Sequence, residues 1–156
     1  MNHVIVAPHP DDEIIGCYEI LRRERDIAII YSADSDSNRR EEAMKLKDCI
    51  EGIKIQMFQN SIPTSMINNS NKFYFPDPIY ENHPKHREMG MTGELYARSG
   101  LDVVFYSTIM NAPYIHEVND RIGKEDLLNQ VYPSQSDMWK YERKYILFEG
   151  YCKWVF

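Results

Sequence analysis

Val4-Ile5-Val6-Ala7-Pro8-His9-Pro10-Asp11-Asp12-Glu13 opens the chain with an apolar run that stops at a proline and gives way to an imidazole and three carboxylates. A run of four apolar residues bounded by a breaker reads as a buried strand. Immediately downstream, Ile14, Cys17, Tyr18 and Leu21 recur at i, i+3, i+4 and i+7, the period of an amphipathic helix. Further out the alternation repeats. Ile27 to Tyr31 is a second apolar, branched run, Arg39 to Ile50 carries Ala43, Leu46 and Ile50 on one helical face, and Ile53 to Phe58 reads as a third strand. The order β-α-β-α-β predicts right-handed crossovers and a parallel sheet covered on both faces. The expected class is therefore α/β, a three-layer sandwich around a mostly parallel central sheet.

Residues 59–82 interrupt this rhythm with Asn60, Ser61, Pro63, Asn68, Asn69, Ser70 and Asn71, then Pro76 and Pro78. A loop of that length is uncommon in a compact domain unless it is functional or conceals a short element, and Lys72-Phe73-Tyr74-Phe75 is the candidate element. Beyond it the pattern predicts a helix from His86 to Arg98, a strand from Leu101 to Thr108, a helix from Lys124 to Tyr132 and a last helix from Met138 to Phe148. Neither an internal repeat nor a biased linker divides the chain, so one domain over residues 1–156 is expected.

Composition narrows the partners. Eighteen Lys and Arg against twenty-four Asp and Glu leave a net charge of -6, which argues against a general phosphate-backbone binder; no nucleic-acid partner is expected. No stretch approaches the roughly 20 apolar residues of a membrane span, and no charged segment followed by an apolar one opens the sequence. Cys17, Cys49 and Cys152 are odd in number and widely spaced, a pattern of neither disulfide framework nor CxxC motif. The expected compartment is the cytoplasm.

The chemistry lies at the turn after the first strand, because strand C-termini face the ligand crevice in a parallel α/β sheet. Asp11, Asp12 and Glu13 alone are explained as an acidic first turn that favours the helix dipole. That leaves His9 and Pro10 unexplained, along with a second cluster, His83-Pro84-Lys85-His86, at a loop-to-helix boundary. Two imidazole nitrogens and a carboxylate, with one position open, make a catalytic zinc site. His9, Asp12 and His86 supply that set if the second loop folds over the first.

At these residues the chain resembles the LmbE-like, or PIG-L, zinc-dependent N-deacetylases, which hydrolyse the acetamide of N-acetylglucosamine-type sugars on a Rossmann-like fold. The family's first strand ends in (A/P)HPDDE, standing here as Pro8 to Glu13. Its RxxEA helix is matched by Arg39-Arg40-Glu41-Glu42-Ala43, its HPDH loop by His83-Pro84-Lys85-His86, and its late helix by Lys124, Leu128 and Ser134-Gln135. The resemblance implies one zinc ion held by His9, Asp12 and His86, with Asp11 as general base and His83 supporting the oxyanion. It implies Arg39 as a contact to a small N-acetylated sugar or glycoconjugate; by sequence alone Arg39 is equally a solvated helix face shared with Arg40. Glu13 is expected to brace the first turn.

Three departures qualify the match. Lys85 stands where the family usually has Asp, Ser35 stands where a glycine commonly follows Asp34, and the region before His83 is trimmed. A lysine beside His83 is expected to lower that imidazole's pKa. Besides the sugar deacetylase, two other functions remain open: a zinc hydrolase of a non-sugar amide, and a sugar- or metal-binding protein without turnover. Asp11 beside Asp12 favours an enzyme, because a metal binder needs no base.

Overall fold

The computed structural model describes residues 2–32 and 34–156. Its first strand, β1 (Asn2–Ala7), is buried from His3 onward and leads into helix α1 (Asp12–Arg23). Then come β2 (Ile27–Tyr31), α2 (Ser37–Met44), the single turn α3 (Leu46–Cys49) and β3 (Ile53–Phe58). Asp36 starts α2 by accepting the Arg39 N–H on its side chain, as an N-cap aspartate does. The helix expected over Arg39 to Ile50 is thus two segments, divided at Lys45.

The second half supplies β4 (Asn71–Pro76), α4 (Pro84–Arg98), β5 (Asp102–Tyr106), β6 (Ile115–Glu117), α5 (Arg121–Val131), two short helices α6 (Ser136–Tyr141) and α7 (Lys144–Leu147), and β7 (Phe148–Cys152). The strands form one seven-stranded sheet in the order β3-β2-β1-β4-β5-β7-β6. The first five are parallel; β7 runs antiparallel to β5, and β6 antiparallel to β7. Ile5 lies level with Ile29 on β2 and Tyr74 on β4, so apolar side chains line up across the sheet.

Alternate residues of these strands feed two cores. Ile5, Ile29, Tyr74 and Val104 pack with Leu21, Leu128 and Trp139 on one face, while Val4, Val6, Phe73, Phe75 and Phe105 pack with Met89 and Tyr96 of α4 on the other. Burial on both faces is why these strands read as continuous apolar runs rather than as alternating ones. The result is an α/β sheet with helices on both sides.

One sequence expectation is extended and another corrected. The candidate element Lys72 to Phe75 does form, as the middle of β4, but it is flanked by β1 and β5 near the centre of the sheet and not confined to a loop. Its neighbours decide this, since Phe73, Tyr74 and Phe75 are each nearly fully buried among other strands. The single last helix does not form: Met138 to Phe148 is divided between α6 and α7, and Phe148 starts β7. Residues 115–117 and 148–152 instead pair as an antiparallel ribbon at the sheet edge.

Helix α1 is also broken, at Cys17 (φ -133°, ψ 24°). Gly16 packs against the Tyr106 ring so tightly that a Cβ there would lie 2.3 Å from a ring carbon. The N–H groups of Tyr18 and Glu19 turn from the helix to the carboxylate of Glu149, at 2.7 and 3.1 Å. The freed carbonyl of Ile15 takes the Lys124 ammonium at 2.6 Å, and Lys124 pairs with Glu149 at 3.0 Å. Both charged residues are fully buried. They act as a polar splice that satisfies the groups the break exposes.

Candidate metal centre

The site forms where β1, β4 and β5 end. His9 leaves β1 on the turn that Pro8 and Pro10 stiffen, and Asp12 is the first residue of α1. His86 comes from the first turn of α4, where Pro84 occupies an initial position suited to its missing N–H and the His83 ring acts as N-cap. His9 Nδ1, His86 Nε2 and Asp12 Oδ2 converge: the separations are 3.2 Å between the nitrogens, 3.3 Å from His9 to Asp12 and 3.1 Å from His86 to Asp12. A tetrahedral ion with ligands at about 2.0–2.1 Å has donor atoms about 3.3 Å apart. The triangle therefore has the size of one face of such a tetrahedron, leaving the fourth corner open.

His83 stands beside this triangle. Its ring centroid lies 4.8 Å from that of His9 and 5.1 Å from that of His86, and the three histidines' donor atoms all lie within 4.8 Å of one another. The cluster His9, His83, His86 could hold a metal ion. Among these groups the short edges belong to His9, Asp12 and His86, whereas His83 commits Nδ1 to accepting the Lys85 N–H at 3.2 Å. That bond places the His83 proton on Nε2, leaving a neutral ring with one free donor.

The second imidazole nitrogen of His86 is also held. Its Nδ1 lies 3.1 Å from the Thr108 hydroxyl and 3.4 Å from Glu81 Oε2, and Glu81 in turn accepts the Thr108 N–H. Glu81 and Thr108 fix the ring's orientation, as partners of metal-binding histidines commonly do. Neither residue belongs to the sequence motifs that mark the site. Thr108 falls just past the end of a strand facing the crevice, a position signal that was legible; Glu81 sits in a loop with nothing to mark it.

Burial acts against the charge of His86, but Asp12 and Glu81 outweigh it and raise its pKa to about 10. The same pairing, with His9 contributing, holds Asp12 well below the usual carboxylate range despite burial. Metal-free, these groups form an ion pair, and a bound cation would take the place of the His86 proton. Asp11 goes the other way: burial and then the neighbouring Asp12 push its carboxyl well above the ordinary value, with Arg39 opposing.

Asp11 has φ 116° and ψ -28°, a backbone few non-glycine residues adopt and one that costs on the order of 1–3 kcal/mol. It is 3% exposed and its Oδ2 accepts Arg39 Nη2 at 2.6 Å. The same Arg39 nitrogen donates to the Pro10 carbonyl, so the guanidinium reaches across the turn instead of lying along an outer helix face; Arg40 stacks over Phe58. The Lys85 backbone bonds to His83, but its ammonium turns to two acids instead. Its ammonium lies 3.9 Å from Asp34 and 3.7 Å from Glu88, and His83 is lowered by burial first, then by His86 and His9.

All six residues border a cavity of about 320 Å³. Ile15, Ile109, Met138 and Tyr145 add apolar lining, and Thr108 and Gln135 add polar lining. Gln135 is set in place because Glu42 of α2 accepts both the N–H and the hydroxyl of Ser134, joining two segments 92 residues apart. No family model, no curated protein and no solved structure matches the chain. Among the described residues, no helix is long and apolar enough to cross a membrane.

Proposed function

We propose that the protein is a zinc-dependent amide hydrolase that removes the acetyl group from an N-acetylglucosamine-type sugar or sugar conjugate, on a Rossmann-like sheet. The observation that carries this reading is the 3.1–3.3 Å triangle of His9 Nδ1, Asp12 Oδ2 and His86 Nε2, with the Asp11 carboxyl buried beside it. The strand order β3-β2-β1-β4-β5 supports the fold assignment, because the chain moves outward from β1 in both directions and a crevice opens at such a switch point.

Zinc bound by these three residues would supply Lewis acidity, polarising the amide carbonyl and acidifying a water. The remaining steps belong to the chain. Asp11, next to a ligand and held by Arg39, accepts the proton as water attacks the carbonyl carbon. His83, with its proton on Nε2, donates to the oxyanion of the tetrahedral intermediate. Asp11, protonated by then and with a pKa raised by burial, is suited to return the proton to the leaving amine. Arg39 and Gln135 give the cavity polar donors suited to sugar hydroxyls.

A non-sugar amide is the second reading, favoured by the apolar wall of Ile15, Ile109 and Met138. A non-catalytic binder is disfavoured, because a strained, buried carboxyl beside the ligands serves no purpose in binding alone. The test is metal analysis of the purified protein, followed by amine release from a panel of N-acetylated sugars and N-acetylated amino acids. One zinc per chain with amine released from the sugars is expected. Release from amino acids alone would establish the second reading, and release from neither would overturn both.

A further inference from the structure

We propose that Glu13 is a positioning residue whose buried carboxylate holds Asp11 in its left-handed backbone and so frees the Asp11 side chain for the cavity; the inference rests on the reading of Asp11 as the base. An aspartate at a helix N-cap ordinarily folds its carboxylate onto the first free N–H groups of that helix. Asp11 occupies the N-cap of α1 and makes no such bond. Its backbone instead accepts from the Ile14 and Ile15 N–H groups, and its side chain points to Arg39. Glu13 reaches back to the N-cap residue itself, its Oε2 accepting the Asp11 N–H at 3.0 Å, the return contact of a capping box.

Glu13 is itself immobilised. It is fully buried, and its Oε1 accepts the Tyr132 hydroxyl at 2.5 Å. That hydroxyl lies 3.4 Å from the hydroxyl of Tyr31 at the end of β2, and both tyrosines are fully buried. A continuous polar path thus runs from β2 and the end of α5 to the backbone of Asp11. At φ 116° Asp11 lies well outside the right-handed region that would extend α1 back by one residue. Without the Glu13 acceptor, the turn is free to relax toward that region and redirect the carboxylate.

The decisive comparison is Glu13→Met, which keeps side-chain length without an acceptor, against Glu13→Gln, which retains one. Glu13→Met should bind one zinc per chain, keep KM and lose about 100-fold in kcat, the scale of an ångström's misplacement; Glu13→Gln should restore kcat. A zinc-loaded crystal structure of Glu13→Met should show Asp11 out of the left-handed region. Wild-type kcat in Glu13→Met, loss of zinc from it, or Asp11 unmoved in that structure would each overturn the proposal. If Glu13→Met does not fold, Tyr132→Phe serves: a smaller fall in kcat at constant KM is expected, and an unchanged kcat overturns it. If the wild-type protein releases no amine from any substrate, the hydrolase reading falls by itself, and the Asp11 backbone in crystal structures of the wild type and Glu13→Met still decides the role of Glu13.

Discussion

At the scale of single residues, the turn from His9 to Glu13 divides its labour by backbone geometry. Asp11 and Asp12 are adjacent and chemically identical, yet burial raises one and the His86 pair lowers the other. Asp11→Asn should keep one zinc per chain and lose at least about 100-fold in turnover; metal titration alongside a rate measurement checks it, and comparable loss of metal would mark Asp11 as a ligand. His83 and His86 make the complementary pair. His83→Ala should retain zinc while turnover falls, whereas His86→Ala should lose the metal. Equal metal loss in both would make His83 a fourth ligand. Glu81→Gln, by loosening the His86 ring, should weaken zinc affinity by about 10- to 100-fold without altering stoichiometry. The motif residues were legible because chemistry restricts what can stand beside a metal; Glu81 was not, because a loop glutamate becomes a partner to His86 only once the fold brings them together.

At the scale of elements, the break in α1 is the feature that local propensity least explains. Ile14, Cys17, Tyr18 and Leu21 keep the helical period straight through it, so the pattern predicts an unbroken helix. What interrupts it is the buried pair Lys124–Glu149, contributed by segments over a hundred residues away. Removing one partner of such a pair leaves a buried charge uncompensated and costs about 3–5 kcal/mol. Lys124→Met and Glu149→Gln should each lower stability by that order in urea unfolding. The double variant should cost less than the sum, since it leaves no unpaired charge.

At the scale of the whole molecule, the proposed metal site would couple metal binding to folding through His86. Its pKa in the metal-free fold is about 10 against an ordinary 6.5. A raised folded-state pKa contributes stability that is complete below the unfolded value and is lost as pH rises through the folded one. The metal-free protein should therefore lose stability between pH 6.5 and about 10. Over the same range zinc should gain affinity, because it no longer displaces a proton. Chemical denaturation with and without a chelator at several pH values measures both. The zinc-dependent stabilisation, about 4 kcal/mol when free zinc is a thousandfold above its Kd, should widen as pH rises. A stabilisation that shrank with pH would place the displaced proton elsewhere.

The sequence by itself determined the α/β class and the first five elements, because strands buried on both faces must be continuously apolar and covering helices must keep a 3.6-residue period. It also marked His9, Asp11, Asp12, Arg39, His83 and His86 as candidates, because few residue types can bind a metal or move a proton. Only the tertiary structure decided that Lys72 to Phe75 lies within a strand near the sheet's centre, that the C-terminal segment ends as an antiparallel edge, that Glu81 holds His86 and Tyr132 holds Glu13, and that Glu149 splices the break in α1. Each of these depends on contacts between residues far apart in the chain. Burial and hydrogen-bond satisfaction are set by such contacts, and a local pattern carries no record of them.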